Sequence, residues 1–186
     1  SVSGANVVQP NELKVDFIIP AGSGNGPFLN DVQWDPTAYE NKMTNNGSNV
    51  WSISFEGVSA ETYKVKFAAN GNWNDNWGGT VTLGEWTDAV YNGGDIEFTV
   101  AKDDSTVTLY LDLSNFDYAS KTGAKLKIEV TEKEEEVVVP TTPKDILDAA
   151  YALESGSALE GTYTLTGIIQ AVNSAYSDKY KNITVT

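Results

Sequence analysis

Between Leu13 and Val130 apolar residues recur at every second position, and a segment with that period buries one face only as a β-strand. Leu13, Val15, Phe17 and Ile19 share one face of the first run, followed by Trp51, Ile53 and Phe55. Tyr63, Val65, Phe67 and Ala69 come next, with Lys64 and Lys66 on the opposite, solvent-facing phase. Ile96, Phe98 and Val100, then Val107, Leu109 and Leu111, then Leu126, Ile128 and Val130 complete the pattern. About six or seven short strands, joined by turns such as Asn46-Gly47, Asn70-Gly71 and Asn92-Gly93-Gly94, predict a mainly β fold, an antiparallel Ig-like β-sandwich. On the same phase rule Trp51 and Tyr63 belong to the core.

The pattern ends near Thr131. Residues 1–131 are read as the sandwich, 132–143 as an acidic, proline-limited linker, and 144–186 as a helix–strand–strand segment. Thr142 as N-cap, Pro143 at the first helical position and Asp145 in the first turn predict one helix, with Ile146, Leu147, Ala150 and Leu153 as its apolar face and Gly156 at its end. Thr162–Gln170 and Asn182–Thr186 read as strands. A segment this short rarely folds without help, so it is expected either to pack on the sandwich or to be part of a second domain of a larger multidomain protein.

Composition removes most catalytic chemistries. The 186 residues include no cysteine and no histidine, and all 12 basic residues are lysine. A serine or cysteine nucleophile would lack its imidazole base, and Cys/His zinc sites, haem and iron–sulfur clusters lack their ligands. No cofactor and no metal are expected. The net charge of −14 and the absence of arginine argue against nucleic acid. No apolar run reaches a transmembrane length, so direct membrane insertion is not expected. The N-terminus lacks a leader-like segment, so if the protein is exported its mature form is expected here.

One segment stands apart from the strands. Asn70-Gly71-Asn72-Trp73-Asn74-Asp75-Asn76-Trp77-Gly78-Gly79 interleaves tryptophans with asparagines, and a core strand would leave those amides without partners. A loop that presents indole faces and amides suits sugar: the indole covers the C–H face of a pyranose while amides and lysines bond its hydroxyls. The alternative is that one or both tryptophans belong to the core of a long hairpin. A calcium loop is the weaker alternative, because Val81 stands where the closing bidentate glutamate is needed.

Several of these residues fall in a familiar order. Trp34-Asp35-Pro36, Met43-Thr44 with Gly47 and Trp51-Ser52, Tyr63-Lys64-Val65-Lys66-Phe67, Asn70-Gly71-Asn72-Trp73 and Asn76-Trp77-Gly78 together resemble the non-catalytic β-sandwich modules of bacterial pullulanases. They also resemble the starch-binding modules of surface lipoproteins in gut bacteria and, more distantly, the glucoamylase starch-binding domain. The resemblance spans roughly Leu13 to Leu113. It implies binding of α-1,4-glucan (starch, maltooligosaccharides, cyclodextrin) by a monomeric module of an extracellular or bacterial cell-surface protein. It further implies a site with Trp34 as one platform, Trp73 or Trp77 as the other, and Lys66 as polar anchor. Asn70, Asn72, Asn74 and Asn76 are candidate hydroxyl partners.

The segment Thr80–Tyr91 departs from that family. Its Trp86 and Tyr91 either extend the platform or cover the sandwich edge, and Trp86 is retained among the candidate ligand residues. Residues Ile146–Ala149 and Leu159–Gly167 resemble the start of OB-fold-like accessory domains in secreted clostridial proteins. Carboxylates near the aromatics, namely Asp31, Asp35, Asp75, Glu85 and Asp88, are the sole route to catalysis, and nothing in the sequence marks any of them as buried. The chain is therefore read as a binder rather than an enzyme. A protein-interaction or structural module without sugar binding is the alternative.

Overall fold

The computed structural model describes residues 13–133, 142–154, 157, 172–177 and 182–185. The chain divides into two compact units, Ser1–Glu134 and Glu135–Thr186. The first contains β1 (Ile18–Asn25), β2 (Phe28–Gln33), β3 (Thr44–Asn45), β4 (Val50–Val58), β5 (Thr62–Ala69), β6 (Asn76–Gly78), β7 (Thr87–Asp88), β8 (Val90–Tyr91), β9 (Ile96–Thr99), β10 (Ser105–Asp112) and β11 (Lys125–Thr131). One sheet runs β2-β1-β5-β6-β8, with β9 also paired to β5, and the other runs β3-β4-β10-β11-β7. All of these pairings are antiparallel, so the expected sandwich is what the chain forms.

Alternation translates directly into burial. Tyr63, Val65 and Phe67 of β5 and Val107, Leu109 and Leu111 of β10 are buried in one contiguous core with Trp51, Phe55, Ile96, Phe98, Leu126 and Ile128. Phe28 sits among three other rings, 4.6 Å from Tyr63, 5.5 Å from Phe55 and 5.6 Å from Phe98 between centroids. Strand β4 keeps the phase of Trp51 and Phe55 only as far as Glu56. There Gly57 at φ 70° forms a bulge, and Val58 rather than residue 57 turns into the core. A left-handed residue at that point costs a side-chain-bearing amino acid about 1–2 kcal/mol, which is why glycine occupies it.

The first run behaves differently from its pattern. Residues 13–17 lie outside any strand, and it is Ile18, not Ile19, that joins the inner core cluster. Ile19 pairs with Ala68 in the outward phase of the sheet, yet both are fully buried. The outer face is therefore covered at this point, and the 3-10 turn at Tyr39–Asn41 contacts both β1 and β2. Asn41 in that turn is itself buried, donating to Leu29 O at 2.9 Å and accepting from Asn30 at 2.7 Å.

The segment Thr80–Tyr91 joins the two sheets at one side. β7 pairs with β11 in one sheet and β8 with β6 in the other, with only the buried Ala89 between them.

In the second unit α1 (Pro143–Tyr151) begins as expected: Thr142 Oγ1 accepts from Asp145 N at 3.2 Å and Pro143 takes the first position. Its apolar face is narrower than expected, because Ile146 is buried and Leu153 half-buried while Leu147 and Ala150 are exposed. β12 (Val172–Ser177) and β13 (Asn182–Val185) form an antiparallel pair. The predicted strand at Thr162–Gln170, the helix end at Gly156, the Leu159–Gly167 resemblance and residues 134–141 of the linker lie outside the described residues. Glu132, at the start of that linker, pairs with Lys102 at 2.8 Å, and Lys133 pairs with Asp104.

Candidate functional site

Strand β5 places Lys66 outward between the buried Val65 and Phe67, opposite Ala21 on β1. The chain then leaves the sheet through Ala69-Asn70-Gly71-Asn72. Asn70 at φ 55° and Gly71 at φ 75° are both left-handed, and Asn72 N donates to Ala69 O at 3.4 Å, the signature of a type I′ turn. Trp73 follows, 37% exposed, with Lys66 Nζ 5.9 Å from its ring centroid. The ammonium stands over the ring and attracts it, while more than a third of the residue's surface stays exposed to solvent.

Three of the surrounding asparagines, Asn70, Asn72 and Asn76, make side-chain bonds that build this loop, and burial takes Asn76 out of the expected set of hydroxyl partners. Asn70 Oδ1 accepts from Asp16 N and its Nδ2 donates to Lys14 O, both at 2.8 Å, which ties the turn to the segment before β1. Asn72 Oδ1 accepts from Asn74 N at 2.9 Å in an Asx turn, and its Nδ2 donates to Asn70 O at 3.2 Å. Asn76 is buried; its amide donates to Trp73 O at 2.9 Å and to Asn92 Oδ1 at 2.7 Å. Only the side chain of Asn74 is both exposed and without an internal bond to its own polar atoms among the described residues.

Trp77 is likewise corrected. It pairs with Phe67 in β6, has no exposed surface, and meets Phe116 at 5.3 Å and Tyr91 at 5.9 Å, edge to face in both cases. A ring enclosed on every side cannot stack on a sugar. Tyr91 also serves the edge of the sandwich: it stacks on Phe116 and donates to Asp75 Oδ1 at 2.5 Å. Burial, and then the Asp75 carboxylate, push its hydroxyl above the usual tyrosine range.

The backbone of Trp34 lies on the other side of β1, and the residue is half-buried. Its N donates to Gly22 O at 2.8 Å, one residue along β1 from the Ala21 that faces Lys66. Trp34 and Lys66 are thus separated by strand β1, about 10 Å at two strand spacings. The backbone of Trp34 is left-handed at φ 51°, a conformation that a bulky residue adopts only under constraint. The turn that follows is braced by Asp35 Oδ1, which accepts from Thr37 Oγ1 at 2.7 Å and Thr37 N at 2.8 Å; these bonds, the hydroxyl's first, hold the carboxyl below the usual aspartate range.

Trp86 stands elsewhere. It precedes β7, on the other sheet, and its ring lies 5.9 Å from Tyr110 at an interplanar angle of 60°. It is 43% exposed. Lys127 Nζ lies 5.2 Å from its centroid and donates to Glu129 Oε1 at 2.6 Å, while Tyr110 Oη donates to Glu129 Oε2 at 3.0 Å. Those two donors, Lys127 first, hold Glu129 below the usual glutamate range. Their contribution to stability is therefore complete above the ordinary value of 4.5 and is lost as pH falls through the lowered one. Melting temperatures measured from about pH 6 down to about pH 3 should fall less steeply for Glu129→Gln than for the wild type. Tyr110, Lys127 and Glu129 were missed in the sequence, although the outward phase between Leu109 and Leu111, and around Leu126 and Ile128, marks all three.

Among the described residues no group of three or more acidic side chains is arranged to hold a metal, and no helix is long and apolar enough to cross a membrane. No curated protein matches the chain. The family model of the pullulanase X25 domain does match, over residues 21–118. Those residues run from β1 to the loop after β10 and make up more than half of the 186, so the chain belongs to the pullulanase X25 domain family.

Proposed function

We propose that this module binds starch-type α-glucan without cleaving it, and that it does so on the outer face of the first sheet. The observation that carries the reading is the pair Lys66 and Trp73, a partly exposed indole on a braced turn with an ammonium over its ring. A pyranose ring covering Trp73 removes on the order of 100 Å² of apolar surface, about 2–3 kcal/mol at ~25 cal/mol per Å². Lys66 donates to adjacent sugar hydroxyls, and Trp34 supplies the second contact on the far side of β1. The braces matter as much as the contacts. Asn76 holds the carbonyl of Trp73 and Asn72 holds the turn before it, so little loop entropy remains to be lost on binding. The left-handed backbone of Trp34 fits a residue fixed for contact rather than for packing.

Membership of a pullulanase-associated family supports α-glucan as the ligand and an accessory role. We infer the same setting for the protein that carries it: a secreted or cell-surface polypeptide of several domains, with this module delivering it to starch. Titration of the intrinsic tryptophan fluorescence tests this. Maltoheptaose is expected to give a saturable change with Kd of roughly 10 µM to 1 mM, and cello-oligosaccharides of equal length none. A flat response to maltoheptaose, or equal responses to both sugars, overturns the reading.

A further inference from the structure

We propose that the outer face of the second sheet carries a separate glucan-binding site centred on Trp86, so that one module holds two glucan chains. The choice of ligand rests on the reading above; the location does not. Tyr110 projects outward between the buried Leu109 and Leu111, and Lys127 between the buried Leu126 and Ile128. Lys66 projects outward from the opposite sheet between Val65 and Phe67. The two faces therefore point away from each other across about 10 Å of packed core, beyond the span of one short oligosaccharide bound to both.

Two features indicate a sugar rather than a structural cover. First, Trp86 leaves 43% of its surface open where Trp77, which does seal an edge, leaves none. Second, the arrangement repeats the chemistry of the first face: an exposed indole with a lysine Nζ 5.2 Å from its centroid here, against 5.9 Å for Lys66 and Trp73. The second face adds an acceptor. Glu129 accepts one bond at each oxygen from Lys127 and Tyr110, and each oxygen keeps a lone pair for a hydroxyl donor. Lys127 and Glu129 neutralise each other, so the centre of the face presents hydrogen-bonding groups without net charge, as a neutral polyol requires. Beside it Ser54 and Thr108 share a hydrogen bond of 2.9 Å, which continues the hydroxyl-lined surface.

Nitrogen-15 spectra of the whole chain separate the two faces, because each of the five tryptophans contributes one indole N–H signal. Titration with maltoheptaose is expected to shift both the Trp73 and the Trp86 signals, with two equivalents bound by calorimetry. In Trp73→Ala the Trp86 signal should still respond, and in Trp86→Ala the Trp73 signal should. Movement of Trp73 alone with one equivalent bound overturns the second site and leaves the first intact. Movement of Trp86 alone removes the first site and upholds the second, and movement of neither overturns both. Glu129→Gln retains the Trp86 side chain itself and is expected to weaken the Trp86 titration about tenfold while sparing Trp73. Equal weakening at both faces, or at neither, counts against the site.

Discussion

Replacing Trp73 by alanine is expected to reduce retardation in starch-containing native gels to a small remnant, with the circular dichroism spectrum unchanged. The argument is one of area. Loss of ~100 Å² of stacking surface at ~25 cal/mol per Å² weakens the Lys66 face by roughly 60-fold for a short maltooligosaccharide. On a polymer the effect should be larger if both proposed faces bind, because two faces held by the same polymer reinforce each other and a single weak face does not. The fold should not notice the change. Trp73 is outside the contiguous core, and the bonds that shape its loop run through the side chains of Asn70, Asn72 and Asn76 and through the backbone carbonyl of Trp73, which alanine retains. Trp73→Ala combined with Trp86→Ala should migrate as it does without starch. Retardation equal to the wild type in that double variant removes tryptophan stacking as the basis of binding altogether.

Four residues further on, the same substitution should do the reverse. Trp77→Ala is expected to cost about 3–5 kcal/mol of stability, as a buried aromatic truncated to a methyl does, and to lower the melting temperature by on the order of 15–20 °C. The ring has no exposed surface and closes the contacts among Phe67, Tyr91 and Phe116. Its Nε1 is buried without a hydrogen-bond partner among the described residues. Trp77→Phe therefore gives up volume but also removes an unpaired donor, and it should retain most of the stability that alanine loses. Affinity for maltoheptaose below the melting transition should change little in Trp77→Phe. A Trp77→Ala protein that melts within a few degrees of the wild type but no longer binds starch contradicts the structural role assigned to this residue.

The contrast between those two tryptophans marks where sequence reading succeeds and where it stops. Strands β5, β10 and β11 are legible because each has a wet face and a dry face, and alternation records both. Lys66 is legible for the same reason. β6, β7 and β8 are two or three residues long, too short for a period to appear, and their existence depends on partners far away in the chain. Trp77 is buried because β6 pairs with Phe67, a fact no local pattern contains. One local hint was present: Gly78, where a Cβ would lie 1.9 Å from Gly94 O, marks a close backbone approach rather than an open loop. The asparagines are ambiguous in a different way. Their amides suit hydroxyls and backbone groups equally, and the nearer partner wins. The phase slip at Ile18 and Ile19 arises because the outer face is covered there, and a strand dry on both sides carries no alternation.

The brevity of the outermost strands has a consequence for how such modules coexist. β3 and β7, at the two margins of one sheet, and β8, at a margin of the other, are each two residues long. A strand of two residues itself offers few unpaired N–H and C=O groups to a neighbouring molecule, whereas a long flat margin acts as a template for aggregation. The six-residue β2 is guarded differently, by an irregular pairing with β1 and by the left-handed backbones of Leu29, Asn30 and Asp31, which bend it out of the plane a foreign strand would need. On those four strands two copies of this sandwich held close together therefore find little with which to pair, edge to edge.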